Sequence, residues 1–375
     1  MAMLEEHLAS LLATPLNEAL CVSWRAKAQG FLNQWPADRY AFAEPSLDDE
    51  SCARALSAVR AAMSAVALSA SKLPGYGPTH LERMLTWGVG LADNDGLSRP
   101  HAMRLFLAGA YSDLGRILVP RDTAALRHAE ASAVIFDAVR DELGLPEAII
   151  IPVRYAIVAH TVDRFDYDTG TYRVADDVRT IDKLDMLGGA GLVRCLAHYV
   201  LDEQIPFAPY GGSAQEPTVL WTWWQITENL YPIEASDYGR SYSRDAIMWA
   251  EDAMSEELTH PSPEHDIVSL LFDLINQVEN LIPEKYYEQL DARMENLSAD
   301  DYHRWGEILE ETHARLDDEE HERTRARNLA KRKGDALLSG MAELLELGPG
   351  AAGTEVIRAE VARDRILNGN GTPRE

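Results

Sequence analysis

THLERM (79–84), AYSDLGR (110–116), RHAEASAVIFD (127–137), IVAHTVDR (157–164) and VRTIDKLD (178–185) belong to one stretch of the chain, and their reading decides the fold. Most of them lie in segments whose apolar residues recur at helical spacing. They put His80, Asp113, His128, His160 and Asp182 on five separate segments. Alternating β patterns are scarce, so the expected class is all-α. Imidazoles and carboxylates delivered from several helices toward one point are what a metal site in a helical bundle needs.

Working outward, HLERMLTWGVGLA reads as one helix and PHAMRLFLAGAYSDLG as a second, apolar nearly all round, as a central buried helix is. TAALRHAEASAVIFDAVRDELG is a third, closed by Gly144, and LPEAIIIPVRYAIVAHTV holds a fourth, with Pro152 marking an N-terminal turn or a kink. ADDVRTIDKLDML is a fifth, reached through the polar loop DRFDYDTGTYRV. Upstream, residues 3–35 read as one or two amphipathic helices. Ser46 is the expected N-cap of a helix through ARALSAVRAAMSAVALSA, and SKLPGYGPT breaks the chain before His80. Downstream, FAPYGGSAQEPT (207–218) separates a further helical region with the cluster WTWWQ and a long charged helix ending in RTRARNLAKRK. The expected organisation is an N-terminal helical region (1–70), a core carrying the site (71–206), a C-terminal helical region (207–347) and a mostly irregular tail (348–375).

Composition narrows the function. Hydrophobic residues make up 46% and charged residues 26%, ordinary for a globular chain. There is no uncharged apolar run of about 18 residues, so no spanning helix and no membrane partner is expected. The N-terminus is acidic and lacks the positive region of a secretory signal. Three scattered cysteines form neither a disulfide framework nor a CxxC motif, and the expected location is cytoplasmic. A formal charge of −26 argues against nucleic acid as a partner. It leaves room for a small anionic substrate, because a bound divalent cation can dominate the local field. The charged helix and the aromatic cluster make a homodimer plausible.

The chemistry follows from the donors. Mn, Fe, Co, Ni and Zn all accept imidazole and carboxylate ligands, so one or two divalent transition-metal ions are the expected cofactor. Asp182 and Asp185 stand at i,i+3 and can share a helix face. Arg116, Arg164 and Lys183 lie close in sequence to the proposed ligands, where cations could hold a phosphate.

In this order the residues resemble the HD-domain superfamily, an all-α group of metal-dependent phosphohydrolases. His80 in THLERM stands at the first His. LFLAGAYSDLGR is similar to the apolar helix that ends in the His-Asp pair, with Asp113 as the Asp and Arg116 at the following Lys. His128 and His160 match the additional histidines, and Asp182 in VRTIDKLDML the last Asp. Ser112 stands where the family has the His of the pair. The resemblance implies one centre of His80, Asp113 and Asp182 and a second of Asp113, His128 and His160. It further implies a phosphohydrolase that attacks a small phosphorylated substrate, such as a nucleotide, with metal-activated water. Asp113, Asp185 or Glu130 would act as base, with Arg116, Arg164 and Lys183 neutralising phosphate. A catalytically inactive ligand- or partner-binding protein is the alternative, since Ser112 removes an imidazole. A di-iron oxygenase needs a fuller ligand set and is the least favoured reading. The literal His265-Asp266 pair reads as a helix start, WTWWQ as core packing, and His101, His198, His303, His313 and His321 as structural.

Overall fold

From Ala102 to Tyr111 every residue is buried, Arg104 included. This is the central helix that the apolar pattern led us to expect, and the other elements are arranged around it. A computed structural model describes residues 2–33, 44–68, 78–119, 127–161, 173–185, 334–347 and 353–365. The described elements are all helical, and no strand occurs among them. They are α1 (Ala2–Leu12), α2 (Glu18–Asn33), α3 (Asp49–Leu68), α4 (Pro78–Asn94) and α5 (Arg99–Tyr111). A short 3-10 turn (Leu114–Ile117) leads to α6 (His128–Leu143), α7 (Glu147–Ala159) and α8 (Arg173–Leu184). Two more helical segments follow, α9 (334–344) and α10 (Gly353–Arg365). None of the described helices is long and apolar enough to cross a membrane.

Helices α3, α4, α7 and α8 pack around α5, while α6 lies against the 3-10 turn and α7. Leu105, Phe106 and Leu107 reach 1% exposure or less. Burying side chains of this kind stabilises the fold by about 1.5–3 kcal/mol each. Leu4 and Leu8 of α1 and Trp24 of α2 belong to the same hydrophobic core. The chain on either side of residue 70 therefore shares one core.

Local chemistry sets the helix boundaries. Ser98 accepts from the His101 N–H at the start of α5, and Pro100 occupies its first turn. Gly144 closes α6 with φ 56°, as the sequence suggested. The cap of α3 is Asp48 rather than Ser46: its carboxylate accepts the Ser51 N–H at 2.7 Å. Pro152 lies inside α7. A proline there leaves the carbonyl four residues earlier without its helical donor, and Arg104 Nε donates to that carbonyl, Ala148 O, at 3.1 Å. This contact, with Glu44 at 3.3 Å from Nη1, explains a buried cation in the central helix.

The tail expected to be mostly irregular contains α10. Gly-Pro-Gly at 348–350 suggested an ending, but Glu343 reaches across and accepts the N–H groups of Gly353 and Thr354 at 2.5 and 3.1 Å. A carboxylate on a helix N-terminus stabilises it. Ile357 is buried, and Arg358 grips Asp93 of α4 through two bonds of 2.7 and 2.8 Å. Arg164, His198, WTWWQ, His265-Asp266, His303, His313, His321 and the basic run lie outside the described residues.

Candidate metal centre

Five helix ends meet at one cluster. His80 sits in the first turn of α4 and His128 opens α6. Asp113 follows the end of α5, His160 caps the end of α7, and Asp182 and Asp185 close α8. Two close approaches bring these ends together. The Gly115 N–H donates to Ser132 Oγ at 2.8 Å, holding the 3-10 turn against the start of α6. Ile181 of α8 sits over Gly109 of α5, where a Cβ would come within 3.2 Å of its Cδ1.

Asp113 is the hub. Its Oδ2 lies 3.0 Å from His80 Nε2. Its Oδ1 lies 3.3 Å from His128 Nε2 and 3.6 Å from His160 Nε2. His80 Nε2 is also 3.7 Å from Asp182 Oδ1, and the Nε2 atoms of His128 and His160 are 3.4 Å apart. Two groups of three converging donors result, His80–Asp113–Asp182 and Asp113–His128–His160. The five residues singled out in the sequence thus meet at one place. His80 and His160 keep 2% of their side chains exposed, against 14% for Asp113 and 19% for His128, so the cluster opens on the His128 side.

The outer nitrogens of the two buried imidazoles are anchored. His160 Nδ1 donates to Ile157 O at 2.5 Å, and His80 Nδ1 lies 2.6 Å from Asp185 Oδ2. Asp185, a candidate base in the sequence, stands behind His80 instead: Arg83 Nε and Nη2 hold its two oxygens at 2.5 and 3.0 Å. With both oxygens engaged and 1% exposed, it orients the imidazole from outside. Glu130, another candidate base, receives Arg127 through bonds of 3.0 and 2.7 Å.

Arg83 was missed in the sequence. The available signal was its spacing, i,i+3 from His80, matching the i,i+3 spacing of Asp182 and Asp185. Arg116 Nε donates to Asp113 Oδ1 at 2.7 Å, and Lys183 Nζ lies 3.3 Å from Asp182 Oδ2. Ser112 is fully buried, with its hydroxyl donating to Gly109 O at 2.9 Å and 4.0 Å from Met84 Sδ. His101, read as structural, ties α5 to α8 through Asp177 at 2.6 Å.

Burial alone would raise the Asp113 carboxyl, but Arg116 and the contacts with His160 and His80 outweigh it and hold the group well below 3.8. Burial, with Arg116 next, pushes His128 well below 6.5, and the opposing pull of Asp113 does not restore it. Folded His128 therefore stays neutral where the unfolded chain takes up a proton. The stability linked to it is complete above pH 6.5 and is lost as the pH falls below that value. We expect chelator-treated protein to lose up to about 1.4 kcal/mol per pH unit in this window. Urea denaturation from pH 8 to pH 5 checks this, and His128→Gln should flatten the slope. An unchanged slope would mean that His128 is accessible to protons in the folded state.

Comparison with family models, with curated proteins and with solved structures finds no match to this chain.

Proposed function

We propose that the cluster holds one or two divalent transition-metal ions (Mn, Fe, Co, Ni or Zn) and that the protein is a metal-dependent phosphohydrolase acting on a small phosphorylated substrate. The observation that carries this reading is the orientation of His80 and His160. Each has Nδ1 on an outer acceptor and turns Nε2 toward the same carboxylate, Asp113. An anchored outer nitrogen with Nε2 turned inward is how metal-binding histidines are commonly held. The spacing fits as well. Two donors about 2.1 Å from one ion at angles of about 90–110° lie roughly 3.0–3.5 Å apart, and the contacts among the five converging donors run from 3.0 to 3.7 Å.

His80, Asp113 and Asp182 would hold one ion, and Asp113, His128 and His160 the other. Such an ion supplies Lewis acidity, lowering the pKa of a coordinated water and offsetting charge on a phosphate. The chain's own residues favour an anionic substrate. Asp113, Asp182 and Asp185 are matched by Arg116, Lys183 and Arg83. With neutral imidazoles, each divalent ion held there adds two positive charges to this balanced set. Arg116 and Lys183 stand where they can neutralise phosphate oxygens. The order of residues along the chain, which resembles the HD-domain superfamily, supports the same reading.

The alternative, a catalytically inactive HD-like protein that binds a ligand or a partner, is favoured by Ser112, whose hydroxyl is committed to Gly109 O. Metal analysis of protein purified without chelators, followed by a screen against nucleotides and sugar phosphates, separates the two. We expect metal above trace and phosphatase activity that falls by about 100-fold or more in His80→Ala and Asp182→Ala. Metal without turnover favours the binding protein, and no metal overturns both the enzyme and the cofactor.

A further inference from the structure

The two halves of the cluster are electrostatically unequal, and the difference lies in which carboxylate oxygen each cation holds. Arg116 Nε is on Asp113 Oδ1 at 2.7 Å, while Asp113 Oδ2 faces His80 at 3.0 Å. Lys183 Nζ is 3.3 Å from Asp182 Oδ2, while Asp182 Oδ1 faces His80 at 3.7 Å. Each carboxylate thus turns one oxygen toward His80 and the other toward a cation. In the other half, the oxygen facing His128 and His160 is Oδ1, the same atom that Arg116 holds. A metal ion bound there would share that oxygen with a guanidinium, and like charges on one oxygen repel.

We infer that Arg116 makes the second half-site conditional: the resting protein takes its first ion at His80–Asp113–Asp182, and the His128–His160 half binds with comparable affinity only when an anion draws the guanidinium off Asp113. Arg116 is then a positioning residue for the second ion. It weakens that half for cations until phosphate is present, so metal loading and substrate arrival are linked. Arginine suits this exchange because its planar donors match a carboxylate and a phosphate equally well. The 3-10 turn that begins after Asp113 carries Arg116 on the more open side of the cluster, where a phosphate would arrive.

The inference rests on the metal-binding reading, and counting Co2+ equivalents on the full-length, chelator-stripped chain separates the failure of one from that of the other. We expect wild type to bind one equivalent, with a second weaker by about tenfold or more. Inorganic phosphate should bring the second to comparable affinity. Arg116→Gln should bind two without phosphate. His80→Ala should remove the tight equivalent from wild type, and His160→Ala should leave it. Two comparable equivalents in phosphate-free wild type, a folded Arg116→Gln that stays at one, or a tight equivalent lost in His160→Ala and kept in His80→Ala each overturns the inference. No bound Co2+ in wild type, with or without phosphate, overturns the metal-binding reading itself.

Discussion

Asp113→Asn should remove metal binding from both proposed half-sites at once. The change keeps the shape of the side chain and deletes its charge. Asp113 is the residue common to both groups of converging donors, so this one substitution reaches both. The amide cannot supply an anionic oxygen to His80 and another to the His128–His160 pair. We expect metal affinity to fall by more than about 100-fold, because even residues behind the ligands typically contribute 10–100-fold. Phosphatase activity should fall with it. Arg116 also loses the carboxylate at 2.7 Å, but it is about one-fifth exposed, so water can replace much of that contact. The cost to the metal-free fold should be only about 1–2 kcal/mol. Calorimetric Co2+ titration and urea denaturation in chelator read the two effects separately. Retained metal affinity would show that the ion lies elsewhere, and unfolding without a metal effect would make Asp113 a structural hub.

How much of this was legible beforehand depends on the range of the interaction. The burial of α5 was readable because LFLAGA is apolar on every face, and a helix of that kind has only the interior to occupy. The metal-site candidates were readable as an order along the chain, since each donor sits on its own helical segment. Periodicity reports which face of a helix is apolar, but it does not report what lies across from a given side chain. Asp185 looked like a base because its spacing puts it beside Asp182, and only packing shows Arg83 closing over it. The burial of Arg104 depends on Pro152, 48 positions on, which leaves a carbonyl for it that no local pattern announces. The cap at Asp48 was misread as Ser46 because both are good caps and stand two residues apart. In α10 the Gly-Pro-Gly signal dominated, and the carboxylate that restarts the helix belongs to α9.

Gly115→Ala should be the most damaging change to the fold near the site. Space is the reason. A Cβ at this position would lie 2.0 Å from the carbonyl oxygen of His128, 2.8 Å from Ser132 N and 2.9 Å from the Cβ of Ala131. The nearest two are backbone atoms in the first turns of α6, which cannot rotate aside as a flexible side chain could. Relief requires the 3-10 turn and α6 to separate. That breaks the bond from Gly115 N–H to Ser132 Oγ and draws Asp113 away from His128. Overpacking of an ordinary core costs about 1–3 kcal/mol. Here the clash is with backbone and a buried hydrogen bond is lost as well, so we expect more than about 4 kcal/mol, in the range reserved for severe defects. Ser132→Ala is the comparison, because it removes the same hydrogen bond without adding an atom. It should cost about 1–3 kcal/mol. Urea midpoints of the two variants separate the contributions. If Gly115→Ala costs no more than Ser132→Ala, the turn is not held against α6 as closely as the geometry requires, and the hydrogen bond alone fixes Asp113. If it costs far more, the glycine is what allows the end of α5 and the start of α6 to approach closely enough for Asp113 and His128 to meet.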